Sequence, residues 1–417
     1  MRRIAVLSMH TSPLAQPGTG DGGGMNVYVR ELTAALARSN VACDVFTRAD
    51  APGLCETIDV EPGFRVHHLR VGPPEPVDKG HLHLLTAGFT EAVDAKMDEL
   101  ELNDGLGFDA IHANYWLSGV VGHTLKHRRS LPLVSTFHTL DRVKAEASPG
   151  EIDVHDPDRR ALAEAEVIGC SDAVLASCSV EADQLVDLYA ADRSRVAIIA
   201  PGVDHAFFSP GVRAQAQRAV SLQGAGPLLL FVGRIQPLKG VDIAVRALAD
   251  LIDRGVPTAR LVVVGGPSGP MGEHEVNQLH QLVARLGLTD SVHFVVPQPH
   301  ELLSTYYRAA DCVLVPSMSE SFGLVALEAA SCGTPVVAAA VGGLTTLVDD
   351  GSTGYLIESR DPKDYAAALH RLWAQSGQRA QFSKNAVSKA SAYTWPRAAE
   401  GLLSLYGRLI EHSLVSC

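Results

Sequence analysis

The sequence predicts an α/β protein of two Rossmann-like, doubly wound parallel-sheet domains, and three observations carry that prediction. The chain of 417 residues is longer than one hydrophobic core usually serves, so two domains of roughly 200 residues are expected. Short runs rich in β-branched residues recur with helical stretches between them, the pattern of a parallel sheet covered by helices. The series is interrupted at 200–211, Ala-Pro-Gly-Val-Asp-His-Ala-Phe-Phe-Ser-Pro-Gly, where two Pro-Gly-type breaks read as a connection between domains.

In order along the chain, strands are expected near 3–8, 42–47, 64–70, 109–113, 133–136, 173–177 and 196–199. A second series opens at 227–233 and continues at 260–265, 292–295, 312–316, 335–338 and 354–357. This gives a domain over 1–205, a second over 206–395, and a closing helix over 396–417. That helix carries Ala399, Leu402, Leu403, Tyr406, Leu409 and Ile410 at helical spacing, which reads as packing, back onto the first domain. The cleft between two such domains is the default ligand site.

Hydrophobic residues at 46% and charged residues at 20% exclude disordered and fibrous classes. The balance of 35 Lys+Arg against 47 Asp+Glu, a formal net charge of -12, repels phosphate polymers and anionic lipid, so nucleic acid is not an expected partner. A small phosphorylated ligand remains allowed, because a few cations focused in one cleft overcome a diffuse field. No apolar run approaches the roughly 18 residues of a membrane span. The start, Met-Arg-Arg and then Ile4 to Met9, has too short an apolar stretch for a signal peptide and reads as the first strand. The cysteines Cys43, Cys55, Cys170, Cys178, Cys312, Cys332 and Cys417 are scattered and odd in number. They are expected as reduced thiols in a cytoplasm, with no disulfide framework and no His/Cys cluster to hold zinc.

Between the first strand and the first helix lies a loop running from His10 through Gln16, Pro17 and five glycines among residues 18–24 to Met25 and Asn26. Gly18, Gly20 and Gly23 match G-x-G-x-x-G literally, with Asp44 about 20 residues on, as a nicotinamide-dinucleotide fingerprint would have it. In that fingerprint, however, the first glycine turns directly off the strand, whereas here some ten residues with two prolines intervene. The alternative is a longer loop whose glycines let backbone N–H groups approach an anionic ligand at the helix N-terminus.

The second half carries Gly233-Arg234-Ile-Gln-Pro-Leu-Lys239-Gly240 at the carboxyl end of its first strand, where ligands bind in doubly wound sheets. Two cations there can neutralise a diphosphate, which matters most when that group leaves and gains charge. Further on, Pro316-Ser-Met-Ser-Glu320-Ser-Phe-Gly323-Leu-Val-Ala-Leu-Glu328 leads from a strand into a helix. Its two carboxylates can each accept hydrogen bonds from sugar hydroxyls.

These three segments, the Gly-rich loop, G-R-x-Q-P-x-K-G and E-S-F-G-L-V-x-x-E, resemble the retaining nucleotide-sugar glycosyltransferases of the two-domain GT-B fold, family four, nearly end to end. The stretches around Ser8 to Tyr28, H-x-x-Y-W-L-S-G, G-G-P-S-G and V-G-G-L resemble the branch of that family serving mycothiol biosynthesis. There, N-acetylglucosamine moves from UDP to an inositol phosphate. The resemblance implies that Arg234 and Lys239 hold the donor diphosphate and Glu328 the ribose. Glu320, Ser321, Phe322 and Gly323 would hold the donor sugar, with Gln16, Pro17, Gly24 and Gln298 near the donor. His138 would contact that sugar near the reacting centre. It further implies an acceptor phosphate pocket of Lys79, Tyr115, Thr139 and Arg160, and ring contacts from His10, Asp21, Gly22, Gly23, Met25 and Asn26. No metal and no other cofactor is expected; a second copy of the chain is entertained as a partner.

The chain departs from that pattern at Asn114, where a histidine is usual, at Leu140-Asp141-Arg142, at Gln298, and in the acidic stretch 148–158. Most of these changes fall near the acceptor. Asp156-Pro-Asp158 matches the Asp-x-Asp of metal-dependent transferases but lies in a Pro-containing acidic turn. Three competitors remain at this point: a sucrose-phosphate-synthase-like or other family member with a different acceptor, an NAD-dependent oxidoreductase, and a non-catalytic sugar-binding protein.

Overall fold

A computed structural model describes residues 1–20, 22–147, 158–269 and 271–417; Asp21, Asp156 and the rest of 148–157 lie outside the described residues. The chain divides into two compact units. The first comprises Met1–Ala15, Met25–Gly202 and Trp395–Cys417, and the second Gln16–Gly24 and Val203–Thr394. The glycine loop, although it falls between the first strand and first helix of one unit, thus groups with the other.

The first unit contains β1 (Arg3–Leu7), β2 (Ala42–Arg48), β3 (Thr57–Glu61), β4 (Phe64–Leu69), β5 (Ala110–Asn114), β6 (Leu133–Thr136), β7 (Ala173–Ala176) and β8 (Val196–Ile198). Their order in the sheet is β3-β4-β2-β1-β5-β6-β7-β8. All neighbours are parallel except β3, which pairs antiparallel with β4. Sequence patterning does not reveal β3: the segment Thr-Ile-Asp-Val-Glu is a half-exposed edge, without the continuous apolar run of a strand buried on both faces. Such a run does mark β1, from Ile4 to Leu7; β1 and β5 are both buried along their whole lengths, and Ile4 sits between Cys43 and Ala110 in register.

The second unit contains β9 (Leu228–Val232), β10 (Arg260–Val264), β11 (Val292–Val295), β12 (Cys312–Val315), β13 (Val336–Ala339) and β14 (Gly354–Ile357). The order β11-β10-β9-β12-β13-β14 is parallel throughout. Its core is built from Leu229, Phe231, Leu261, Val263 and Leu314 on the strands against Val245, Leu248 and Leu369 on the helices.

Both sheets are wound outward from a central pair, β1 and β5 in one, β9 and β12 in the other. At such a point the connections leave in opposite directions and open a crevice at the carboxyl ends of the strands. In this chain those ends are His10 and Tyr115, and Arg234 and the loop that carries Glu320.

Beneath the first sheet lies a buried ionic cluster. Arg3 Nε donates to Asp44 Oδ2 at 2.6 Å, Arg65 Nε to Oδ1 at 2.8 Å, and His67 Nε2 stands 2.8 Å from Oδ1. Burial favours the neutral carboxyl, but hydrogen bonds from His67 and Arg3 outweigh it and hold Asp44 at about 2. Asp44 is fully buried and committed to structure, so it cannot receive a ribose hydroxyl and the dinucleotide reading fails. Among the described residues no helix is long and apolar enough to cross a membrane.

Candidate active site

In the second unit, β9 ends at Val232 and the chain turns through Gly233 to Arg234, whose Nη1 donates to Ser268 Oγ at 3.3 Å. Lys239 closes a short turn ending at Gly240, which has φ +67; a Cβ there would stand 2.3 Å from the carbonyl oxygen of Pro316. Only glycine lets this turn lie against the end of β12. The approach brings Lys239 Nζ to 2.7 Å from Glu320 Oε2, which also accepts from Ser317 Oγ at 3.2 Å. Residues 81 apart in sequence form one charge-assisted pair.

The V-G-G-L segment explains how Glu320 is held. Gly343 N donates to Glu320 O at 2.9 Å. A Cβ on Gly342 would stand 1.9 Å from that oxygen, and one on Gly343 would stand 2.3 Å from Phe322 Cα. Two glycines thus form the floor on which the Glu320–Gly323 backbone rests. The ring of Phe322 is buried against Tyr393 at 5.8 Å between centroids, so its backbone, not its side chain, is what it can offer a ligand. Gly323, at φ +103, starts the helix Leu324–Ser331.

Glu328 lies on that helix and is buried, with Tyr307 donating to Oε2 and His300 Nε2 facing Oε1, each at 2.7 Å. Each carboxylate oxygen keeps a second lone pair. Sequence reading found Glu328 but missed His300 and Tyr307. Burial, and then the Glu328 charge, push the Tyr307 phenol well above its ordinary value, so it stays a donor. Gln298 turns its amide to Val296 O at 2.9 Å. In the glycine loop, Gln16 Nε2 donates to Pro297 O at 3.2 Å. A Cβ on Gly22 would stand 2.6 Å from Gln16 O, and one on Gly23 3.6 Å from Arg234 Nε. Exposed Gly24, half-buried Pro17 and half-buried Met25 complete this segment.

In the first unit, His10 follows β1 and Tyr115 follows β5, and their rings meet at 4.4 Å between centroids. Tyr115 holds φ 75, an uncommon conformation for a side-chain-bearing residue, at the head of the helix Trp116–Arg129. Arg160 lies over its ring at 4.9 Å and donates to Thr139 O at 2.7 Å and Thr139 Oγ1 at 3.0 Å. Glu164, one turn along the same helix, accepts from Arg160 Nε at 2.8 Å. Burial opposes the guanidinium charge, but Tyr115 and Glu164 over-compensate and raise its pKa. Tyr115, Thr139 and Arg160 are therefore brought together as the resemblance implies. Lys79 is exposed, and Arg159 Nη1 reaches the carbonyl of the adjacent Gly80 at 3.4 Å. Asn26 is buried and donates to Thr11 Oγ1 at 2.8 Å and Ser12 O at 2.6 Å, holding the chain that follows His10.

His138, at φ 62, packs edge-on to Tyr28 and places Nε2 2.9 Å from Asn114 Oδ1. The departure at Asn114 is thus explained: the amide oxygen accepts from the Nε2–H and sets the tautomer, leaving Nδ1 as the acceptor. Burial, with lesser contributions from His112 and His10, pushes His138 down to about 3. The ring is neutral at pH 7. His112 behind it is likewise held at about 3 by burial, between Thr136 Oγ1 at 2.8 Å and Tyr406 Oη at 2.9 Å. The departures at 140–142 are structural: Leu140 is buried in the core, and Arg142 lies over the Tyr189 ring at 4.7 Å. Asp158, the described half of the Asp-x-Asp match, precedes the helix Arg159–Cys170.

One expectation is overturned in this unit. Cys170 and Cys417, 247 residues apart, are joined through their sulfurs. With His123 and His127 they form a group whose ligand atoms all lie within 4.8 Å of one another. The sequence reading of unlinked thiols and no His/Cys cluster fails because the spacing between these residues is set by folding, not by a local motif.

The pattern of the family described as Glycosyl transferases group 1 matches residues 213–389, and that of the Glycosyl transferase 4-like domain matches 23–202. A D-inositol 3-phosphate glycosyltransferase of Acidothermus cellulolyticus is 46% identical over 408 residues, covering 97% of this chain and 90% of that one. The chain belongs to the group 1 glycosyltransferases. Another relative, from Actinosynnema mirum and carrying the same description, is 46% identical over 98% of this glycosyltransferase and 97% of its own length. Among solved structures, sucrose-phosphate synthase from Thermosynechococcus elongatus has a TM-score of 0.89 and 32% identity, covering 99% of this chain and 100% of that one. WaaG, a glycosyltransferase involved in lipopolysaccharide biosynthesis, has a TM-score of 0.72 at 20% identity, covering 97% of this chain and 99% of that one, and shares the fold. The fold is GT-B, and the protein is an enzyme that transfers a sugar.

Proposed function

We propose that this glycosyltransferase moves N-acetylglucosamine from a UDP-sugar to a phosphorylated cyclitol, 1D-myo-inositol 3-phosphate, with retention at the anomeric carbon. The observation that carries the acceptor is the Arg160 guanidinium, which lies over Tyr115 and on Thr139 at the carboxyl end of the first unit's central strands. A guanidinium matches a phosphate bidentately, and two relatives at 46% identity carry the name of that acceptor. Lys79, His10 and the residues 21–26 complete the acceptor contacts in this reading.

On the donor side, Arg234 and Lys239 take the diphosphate and Glu328 the ribose. Glu320 to Gly323 take the sugar, with Gln16, Pro17, Gly24 and Gln298 beside the nucleotide. The acceptor domain is 1–205 with the helix 396–417, and the donor domain 206–395. Lys239 is paired with Glu320; a bound diphosphate takes over the ammonium and frees the carboxylate for sugar hydroxyls. The acceptor hydroxyl attacks from the face the diphosphate leaves, and its proton passes to the departing phosphate oxygen. The protein contributes positioning and charge stabilisation, without a carboxylate nucleophile. Neutral His138, fixed by Asn114, contacts the donor sugar and holds no charge that would compete with the leaving group. Arg234 and Lys239 do the neutralising that a metal does in other transferases.

The test is a panel of UDP release. Inositol phosphate, fructose 6-phosphate and unphosphorylated cyclitols are offered with UDP-N-acetylglucosamine and UDP-glucose, and the product's anomeric configuration is read by NMR. Inositol phosphate with UDP-N-acetylglucosamine is expected to turn over fastest. Preference for fructose 6-phosphate would instead favour a sucrose-phosphate-synthase-like activity, which the 32% identity to that enzyme keeps as the second reading.

A further inference from the structure

Toward the far end of the helix Trp116–Arg129 from Tyr115, four side chains with no part in the transfer converge. His123 and His127 are four residues apart, which places both on one helix face. Cys170 ends the helix Arg159–Cys170, and Cys417 belongs to the segment after the helix Trp395–Ile410. We propose that His123, His127, Cys170 and Cys417 form a tetrahedral zinc site that fastens this segment to the first unit.

The nitrogen–sulfur separations fit the metal. With Zn–S of about 2.3 Å and Zn–N of about 2.05 Å, a tetrahedron puts nitrogen and sulfur ligands ~3.6 Å apart. The structure has His127 Nε2 at 3.2 Å from Cys417 Sγ and 3.4 Å from Cys170 Sγ, and His123 Nε2 at 3.8 Å from Cys417 Sγ. Both histidines therefore present the same ring nitrogen toward the sulfurs. The other nitrogen of His123, Nδ1, faces Glu166 Oε1 at 3.5 Å, the carboxylate partner that commonly orients a metal-bound imidazole. A bare disulfide has no use for two imidazoles aimed at it.

The surroundings hold the site together without the metal. Buried Lys126 donates to Cys170 O at 2.6 Å and to Asp172 Oδ1 at 3.0 Å, and Asp172 in turn accepts from Val415 N at 2.7 Å. Cys417 is thus delivered to its neighbours by backbone pairing two residues earlier. Two thiolates neutralise a divalent cation, so a Cys₂His₂ centre adds no net charge to a half-buried place. Four protein ligands close the coordination shell, which makes the site structural and leaves no open position for substrate.

The two sulfurs are joined in the structure, and zinc requires them as thiolates. A phosphine reductant supplies two electrons to break the S–S bond and becomes the phosphine oxide, water giving up its oxygen to the phosphorus and two protons to the sulfurs. The resulting thiols then release both protons to solvent as they bind the metal. The linked and zinc-bound forms are alternative occupancies of one cluster.

The test uses the full chain purified with a phosphine reductant and no chelator, with zinc measured by mass spectrometry. Protein stripped and refilled with Co²⁺ under anaerobic conditions is then examined spectroscopically. Close to one zinc per chain is expected, together with tetrahedral cobalt bands and thiolate-to-cobalt charge transfer. Cys417→Ser, at an exposed side chain, is expected to abolish both signals while circular dichroism and transferase activity persist. Glu166→Gln should weaken zinc by about tenfold. The proposal is overturned if fully reduced wild-type protein takes no more zinc than Cys417→Ser. It is equally overturned if the cobalt spectrum lacks the thiolate band. Because the readout is metal content, failure here would leave the proposed transferase reaction untouched, and failure of that reaction would leave zinc binding untouched.

Discussion

The two sheets present their central strand ends in contrasting ways. In the second unit the site is made of backbone: Gly240, Gly342 and Gly343 let three turns touch, and the charged groups Lys239 and Glu320 pair directly where those turns meet. In the first unit the site is made of side chains on tightly held, left-handed positions, Tyr115 and His138, around one guanidinium and neutral imidazoles. The difference suits the two tasks proposed for the units. A nucleotide diphosphate is a constant ligand for which close backbone approach suffices, whereas a particular acceptor must be selected by side chains that can vary.

The contrast is broken most directly at the charged pair. Lys239→Ala or Glu320→Ala is expected to lower turnover by roughly 10²–10³ fold, the scale of losing a preorganised charge stabiliser, with unchanged circular dichroism. Near-normal kcat in either variant would remove the donor assignment. Arg160→Ala is expected to act differently. It should reduce kcat/KM for a phosphorylated acceptor by about ten- to a hundred-fold, as loss of hydrogen bonds to a charged group does, and leave the KM for the UDP-sugar unchanged. An equal effect on both substrates would erase the division of labour between the units.

Gly343→Ala sharpens the comparison from the backbone side. Its Cβ would fall 2.3 Å from Phe322 Cα, so the loop must move, at a cost of about 1–3 kcal/mol. Thermal unfolding should begin at lower temperature, and donor affinity should fall before acceptor affinity does.

The last difference is a pH dependence written mainly in the first unit. His112 and His138 are held at about 3 in the folded chain, so below about 6.5 the unfolded chain binds protons that the native one refuses. Their stabilising contribution is complete above pH 6.5 and is lost as the pH falls. Asp44, held at about 2, adds a second loss between about pH 4 and 2, on the order of 2 kcal/mol in all. Stability measured by denaturant titration should therefore rise with pH through both windows. A flat profile between pH 5 and 7 would mean that the histidines are not kept neutral.

How much of this was legible in the sequence follows the same division. The motifs proposed for the donor are contiguous, because a turn, its glycine and its charge must lie within a few residues for the backbone to approach a ligand. Glu320, Glu328, Arg234 and Lys239 could therefore be read directly. The residues proposed for the acceptor, Lys79, Tyr115, Thr139 and Arg160, span some 80 positions, and only resemblance to a family tied them together. His300 and Tyr307 carried no local signal and Asn114 showed only as a departure from a family pattern, since each acts by pairing with a residue on another element.

The sequence by itself determined the two sheets and the loops that set glycines beside cations, because alternation of apolar runs and helices, and glycines beside cations, are local physical patterns. The tertiary structure alone decided that β3 joins as an antiparallel edge and that Asp44 is spent on Arg3, Arg65 and His67. It also decided that the glycine loop groups with the second unit, and that Cys170 meets Cys417 beside two histidines. These depend on distances between residues remote in the chain, which are set when the cores close and leave no periodicity or spacing behind to be read.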